Sequence, residues 1–479
     1  MALSQRKKEQ LSAFLGGLPT GLAVKLFSAL EADRLIGAGT KKPSFPHDAL
    51  LSDLRARLIE QGASLPPRRG DAKRIFFTPF EDFFIGERRG RKRPGIIPRT
   101  SLGPIWRVMM RDSALSEAAF AAASLDDALR ADGDVEDLRK ALFIAAEAGL
   151  GRLCDAAIVE AGMRERLVEA LGDDAVFADL QELRRLLAGV PFLNQLQQII
   201  PAGTSQLSEE NYYALRQLFL SAHDQSPKLA AFLLLAVKGR LNKPWHALGL
   251  YYHFARSADE RLDAARDAAA ALPEALFEDL ESLARALERD GAAPDSFDAQ
   301  AARLRVGWFA DYADGLASQA SKIGDNVLVN RVEACRDVAA EAFERFCELG
   351  LSALRQVVPV RQAGGSSFLM PQRPDYSRPV SSHMMEQASE AAVMIAAAPA
   401  LAERLGAAAD TATLIAQEAR EKMRNYANDL VTEIRAAEGE ERKAARRMLE
   451  QVLSAAGPLL ESDEADLLRD RASAAAVAV

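Results

Sequence analysis

The sequence predicts an all-α protein, a multi-helical array or bundle with short antiparallel connections and little or no sheet. Three observations predict it. Apolar residues recur at helical spacing through nearly the whole chain of 479 residues. Glycines and prolines punctuate that pattern into helices of roughly ten to twenty residues joined by short connections. No self-similarity at a fixed period appears, which argues against a solenoid.

Along the chain, Leu11, Phe14, Leu15 and Leu18 predict a first short amphipathic helix before Pro19, and Ala23, Leu26, Phe27 and Leu30 a second that ends by Gly37. A third spans about Asp48 to Gln61, with Leu51, Leu54 and Leu58 inward and Gly62 as its cap. The stretch "KRIFFTPFEDFFIGERRGRKRPGIIPR" then sets five phenylalanines beside a dense basic run. Thr78, Pro79 and Glu81 match a capping box with proline at the first helical position, and Gly86 stops a short helix whose Phe80, Phe83 and Phe84 share a face. Burying three rings contributes about 5 to 9 kcal/mol before entropy costs. Unpaired arginines are too costly to desolvate beside them, so the pattern predicts an apolar anchor holding out a basic loop. Thr100 or Ser101 is the expected cap of the next helix, with Trp106 inward.

Helices follow from about Ser113 to Asp290, with breaks at Gly133, Gly172, Pro201, Pro227, Pro244 and Pro273. Phe297, Ala301, Leu304, Trp308 and Leu316 define one stripe of a longer helix, continued after Gly324 by Val327 to Leu349. The expected domains are a basic N-terminal helical head, 1–111, carrying the Phe-anchored loop 68–99; an acidic helical body, 112–360; a Gly/Ser/Pro-rich linker, 361–383; and Ala-rich C-terminal helices with a frayed tail, 384–479. Within the linker, Phe368, Leu369, Met370 and Tyr376 are apolar anchors in a flexible tether.

The net charge of −8 is unevenly placed. Residues 1 to 111 hold 21 Lys+Arg against 10 Asp+Glu, a balance of +11, which leaves −19 for the rest of the chain. Such a split accompanies an anionic partner or internal docking of the two parts. The longest apolar run, Leu229 to Val237 between Lys228 and Lys238, is far short of the roughly 20 residues needed to span a bilayer. The N-terminus lacks the continuous apolar core of a signal peptide, and Cys154, Cys335 and Cys347 read as buried thiols in a reducing compartment. A cytoplasmic protein is the expectation. The excess of arginine over lysine, 46 to 14, with abundant alanine, points to a bacterial chain from a GC-rich genome.

No catalytic residue, metal ligand set or cofactor motif is identified. "GAGTKK" lacks the spacing of a phosphate-binding loop and follows a helix, not a strand. His246 and His253 share a helical face without a carboxylate to complete a metal set. Glu209-Glu210 and Asp173-Asp174 sit at helix starts, where the macrodipole favours negative charge. The candidate partner- or anion-binding residues are Arg68, Arg69, Lys73, Arg74, Arg88, Arg89, Arg91, Lys92, Arg93 and Arg99. They predict a non-enzymatic interaction protein, an adaptor, scaffold or regulatory component, that meets a protein partner through this head and through the 361–383 linker. Two alternatives stand beside it. The loop binds nucleic acid or an anionic surface through phosphates, without a basic recognition helix; or the chain is an enzyme whose only candidates are His223, Asp224, His246 and Tyr252. A docked loop on the chain's own acidic body is the unadorned reading of the same charges, and a homo-oligomer is compatible with all of these.

Overall fold

In the computed structural model, the described residues are 22–27, 29–30, 50–51, 54–55, 58, 71–86, 92–131, 133–257, 259–322, 324–362, 372–406 and 410–477. They are overwhelmingly helical, with two sheets of two short strands each, as the periodicity predicts. The chain divides into two compact units, Met1–Gln195 and Leu196–Val479.

In the first unit, the faces predicted for the second and third helices meet: Ala23 and Phe27 form one buried cluster with Leu50, Leu51, Leu54 and Leu58, while the first, Leu11 to Leu18, lies outside the described residues. Next comes α1 (Ala72–Phe77), capped by Asp71, whose carboxylate accepts from the Arg74 backbone at 2.7 Å. The expected capping box does not form. Thr78 instead closes α1, its hydroxyl donating to the Arg74 carbonyl, and opens a 3-10 turn, Thr78–Phe83, that has no side-chain cap. Glu81 is free of capping because it pairs with Arg99.

The turn leads into β1 (Phe84–Ile85), which pairs in parallel with β2 (Ile97–Pro98) in the register Phe84 to Ile97 and Ile85 to Pro98. Then follow α2 (Arg99–Arg111), α3 (Ser116–Arg130), α4 (Glu136–Val159), α5 (Ala161–Leu171), α6 (Asp174–Leu187) and α7 (Val190–Ile199). Helix α4 packs against α3, α5 and α6, and α1 lies on α3 and α4. Gly172 ends α5 at φ 87°, a left-handed cap that glycine adopts without a Cβ penalty. Neither Thr100 nor Ser101 caps α2; Pro98 holds that position and the Ser101 hydroxyl is used elsewhere.

The second unit holds α8 (Glu209–Gln225), α9 (Pro227–Arg240), α10 (Leu248–Ala255), α11 (Glu260–Ala264), α12 (Arg266–Gly291), α13 (Ala299–Ser321) and α14 (Asn326–Gln356). Ser208 and Asn211 form a capping box at the start of α8, and Pro227 opens α9. Pro273 does not break the chain: it lies inside α12, where packing of Leu272, Leu276 and Phe277 outweighs one missing N–H. The stripe read for α13 is also displaced. Leu304 and Trp308 are exposed, and the buried face is Ala302, Val306, Phe309, Ala313 and Leu316. Gly315 on this helix meets Trp245, where a Cβ would come within 2.3 Å of the indole.

Helix α14 lies against α12 and α13, and Arg331 ties it to α12 through Glu274 and Glu281, both at 2.8 Å. After α14 come β3 (Val360–Gln362) and β4 (Gln372–Pro374), an antiparallel pair. The chain continues as α15 (Ser382–Ala396), α16 (Ala398–Leu405), α17 (Asp410–Ala436), α18 (Gly439–Ala456) and α19 (Ser462–Val477). Helices α15 and α17 also pack on α14, so the helices before and after the 361–383 segment share a core. Among the described residues, no helix is long and apolar enough to cross a membrane.

Candidate interaction surface

The aromatic half of the opening motif is interior. Phe76, Phe77, Phe80 and Phe83 are buried. Phe76 meets Phe77 edge-on at 5.1 Å, stacks on Phe143 of α4 at 5.5 Å and lies 5.7 Å from Trp106 of α2. Edge-on and offset ring pairs of this kind contribute about 0.5 to 1.5 kcal/mol each beyond area burial. Phe84 departs from the expected face, since the chain has already turned into β1, and its half-buried ring lies under the Arg99 guanidinium at 5.7 Å.

The basic half is divided. Lys92 is the clearest departure from a solvent-facing run: its ammonium reaches Asp179 at 2.9 Å and Glu182 at 2.8 Å, and donates to the Ile96 carbonyl at 2.6 Å. Both carboxylates project from α6, with side-chain exposures of 0% and 5%, against 22% for Lys92. The cost of desolvating a lysine is met here by two anions. Each carboxylate has a further donor: the Gly95 N–H bonds Glu182 at 2.7 Å and the Ser101 hydroxyl bonds Asp179 at 2.7 Å. Burial pushes the Glu182 carboxyl above its ordinary range, and Lys92 and the Gly95 N–H pull the other way.

Arg99 pairs with Glu81 at 2.5 Å, with both side chains about half exposed. Lys73 and Arg74 lie partly buried on α1, and Arg93 is partly buried beside Lys92 in sequence. Arg68, Arg69, Arg88, Arg89 and Arg91 lie outside the described residues, as do Phe368, Leu369 and Met370. The motif's two ends are thus joined at β1 and β2 and clamped by Lys92, with Arg88 to Arg91 between these fixed points in sequence.

Asp179 and Glu182 went unread in the sequence. Their signal is positional: two acids at i, i+3 fall among Leu180, Leu183 and Leu186 on the apolar side of α6, where solvated charges do not belong.

The candidates for an enzymatic reading all lie in the second unit and face separate partners. His223 tilts against Phe219, and Asp224 pairs with Arg261 at 2.6 Å. His246 Nδ1 lies 2.8 Å from the Ser205 carbonyl, and His253 stacks on Tyr212. The Tyr252 hydroxyl is buried, and burial raises its pKa. Clefts among the described residues of this unit include one of about 540 Å³ beside Phe297, Ser352 and Glu386 and one of about 520 Å³ between the β3–β4 pair and α17. Neither is lined by any of these four candidates. Burial pushes the thiols of Cys154 and Cys335 up to about 11 and that of Cys347 up to about 12, so they are protonated at neutral pH. Among the described residues, no group of three or more His, Cys, Asp or Glu is placed to hold a metal ion.

Comparison with known proteins found no family model, curated protein or solved structure that matches the chain.

Proposed function

We propose that this protein acts by binding, as a cytoplasmic adaptor, scaffold or regulatory component that meets an acidic protein partner through the 88–93 basic loop, with the 361–383 segment as a second contact. The observation that supports it is the built base of that loop. Buried rings anchor one end, the parallel Phe84–Ile97 and Ile85–Pro98 pairing closes it, and Lys92 locks the returning strand to α6. A chain segment fixed at both ends loses less conformational entropy when it meets a partner than a free tail does. Lys92 itself belongs to the base, so the contact charges are Arg88, Arg89 and Arg91.

The test is affinity purification with the intact chain beside an R88Q/R89Q/R91Q triple variant, with circular dichroism to verify the fold. Loss of bound protein with unchanged helicity is the expected result. Equal capture by both chains removes the loop from the reading. Nucleic acid drawn down by the intact chain, and released as salt is raised, assigns the loop to phosphates instead.

A further inference from the structure

We propose that Arg361 and Arg373 form an oxyanion clamp in the second unit, a site for one phosphate or carboxylate group. The two arginines stand directly opposite each other across β3 and β4. Opposed residues of an antiparallel pair point to the same side with Cβ atoms about 4.5 to 5.5 Å apart, and like charges there repel. Glu433 of α17 faces both, 3.5 Å from Arg361 and 3.6 Å from Arg373. These distances exceed the roughly 2.7 to 2.9 Å of a seated charge-assisted hydrogen bond. Glu433 therefore engages both guanidinium groups only at long range and seats neither fork.

The geometry is that of a receiver. Glu433 is buried, with a side-chain exposure of 10%, whereas Arg361 and Arg373 are 45% and 56% exposed. Arg361 is held in place by Tyr376: its guanidinium lies 4.9 Å over the Tyr376 ring and donates to the Tyr376 hydroxyl at 3.2 Å. The Asp375 carboxylate acts on Arg361 through space and takes its hydrogen bond from the Ser377 hydroxyl at 2.6 Å. Arg373 also lines the 520 Å³ cleft, together with Lys422. That cleft carries Glu418, Glu421 and Asp429 as well, which repel a polyanion from filling it and restrict the site to a single anionic group at the arginine edge. Guanidinium forks bind planar carboxylate and phosphate oxygens two at a time, which an ammonium does not.

Free phosphate and a phosphorylated side chain of a peptide share this chemistry. Only the second source rests on the reading of 361–383 as a protein contact. The experiment titrates the full chain at low salt with inorganic phosphate, and then with a phosphoserine peptide and its unphosphorylated counterpart. Phosphate binding is expected, weakened about tenfold by R361Q or R373Q, the scale of one charge-assisted hydrogen bond. R373K keeps the charge, loses the fork and is expected to weaken binding too. E433Q, which removes the internal competitor, is expected to tighten it, with thermal melts verifying that each variant folds. No phosphate binding by the intact chain, or binding unchanged in both arginine-to-glutamine variants, overturns the clamp. A phosphopeptide that competes with phosphate identifies a protein source; phosphate binding without peptide binding identifies a free oxyanion and leaves the Arg88–Arg91 reading to its own test.

Discussion

The Lys92 clamp and the Arg361–Arg373 pair are opposite solutions to one electrostatic problem. In the first unit one cation serves two carboxylates that are almost wholly buried, with backbone and hydroxyl donors completing the set. In the second, two half-exposed cations share one buried carboxylate at distances too long to engage it fully. Burial makes the first a structural joint, since opening it strands two anions in a low-dielectric interior. Exposure and loose pairing leave the second open to a ligand on the reading proposed above. The ratio of charges, read with their burial, separates a cation that holds the fold from a cation that can meet another molecule.

The largest effect that sharpens this contrast is removal of Lys92. Lys92→Met is expected to destabilise the first unit by about 3 to 5 kcal/mol, the scale for breaking a buried ion pair, as measured by urea denaturation. Replacing both acids as well, Asp179→Asn with Glu182→Gln, should recover much of that loss; a triple variant no more stable than Lys92→Met breaks the assignment of a joint. Arg361→Gln or Arg373→Gln, by contrast, should leave the denaturation midpoint nearly unmoved or raise it, because each relieves repulsion.

A second effect is in pH dependence. The folded carboxyl of Glu182 is raised above its ordinary value of 4.5. The stability it contributes is therefore fully present below that ordinary value and lost as pH rises through the elevated folded value. Glu182→Gln should flatten this part of the stability profile while keeping an acceptor for the Gly95 N–H. An unchanged profile in that variant shows that Glu182 does not titrate there.

The smallest effect belongs to the exposed Arg99–Glu81 pair. Arg99→Gln should cost about 0 to 1 kcal/mol, and less as salt is raised, in keeping with its half-exposed geometry. A loss as large as that of Lys92→Met would erase the distinction by burial.

Helix type and many helix ends were legible in the sequence because their causes are local. Gly172 stops α5 and Pro227 starts α9. The misreadings arose where tertiary packing decides. Pro273 continues a helix whose neighbours are buried, so the local penalty is outweighed. On α13 the bulky Leu304 and Trp308 drew the expected stripe, yet Ala302, Ala310 and Ala313 line the buried side, where small side chains let helices approach closely. While Phe84 was turned aside by the start of β1, burial of Phe80 and Phe83 followed from their chemistry. The fate of Lys92 did not, because its partners lie 87 and 90 residues away on α6, beyond the range of any local pattern.

The short bridge between β1 and β2 also has an evolutionary meaning. It shuts an intervening stretch whose closure entropy grows only with the logarithm of length, about 0.6 kcal/mol for each doubling. By closure entropy alone, a change in the length of chain between Ile85 and Ile97 therefore costs the paired strands little. On the proposed reading, descendants of this chain can vary the length of that contact without redesigning the strands that close it.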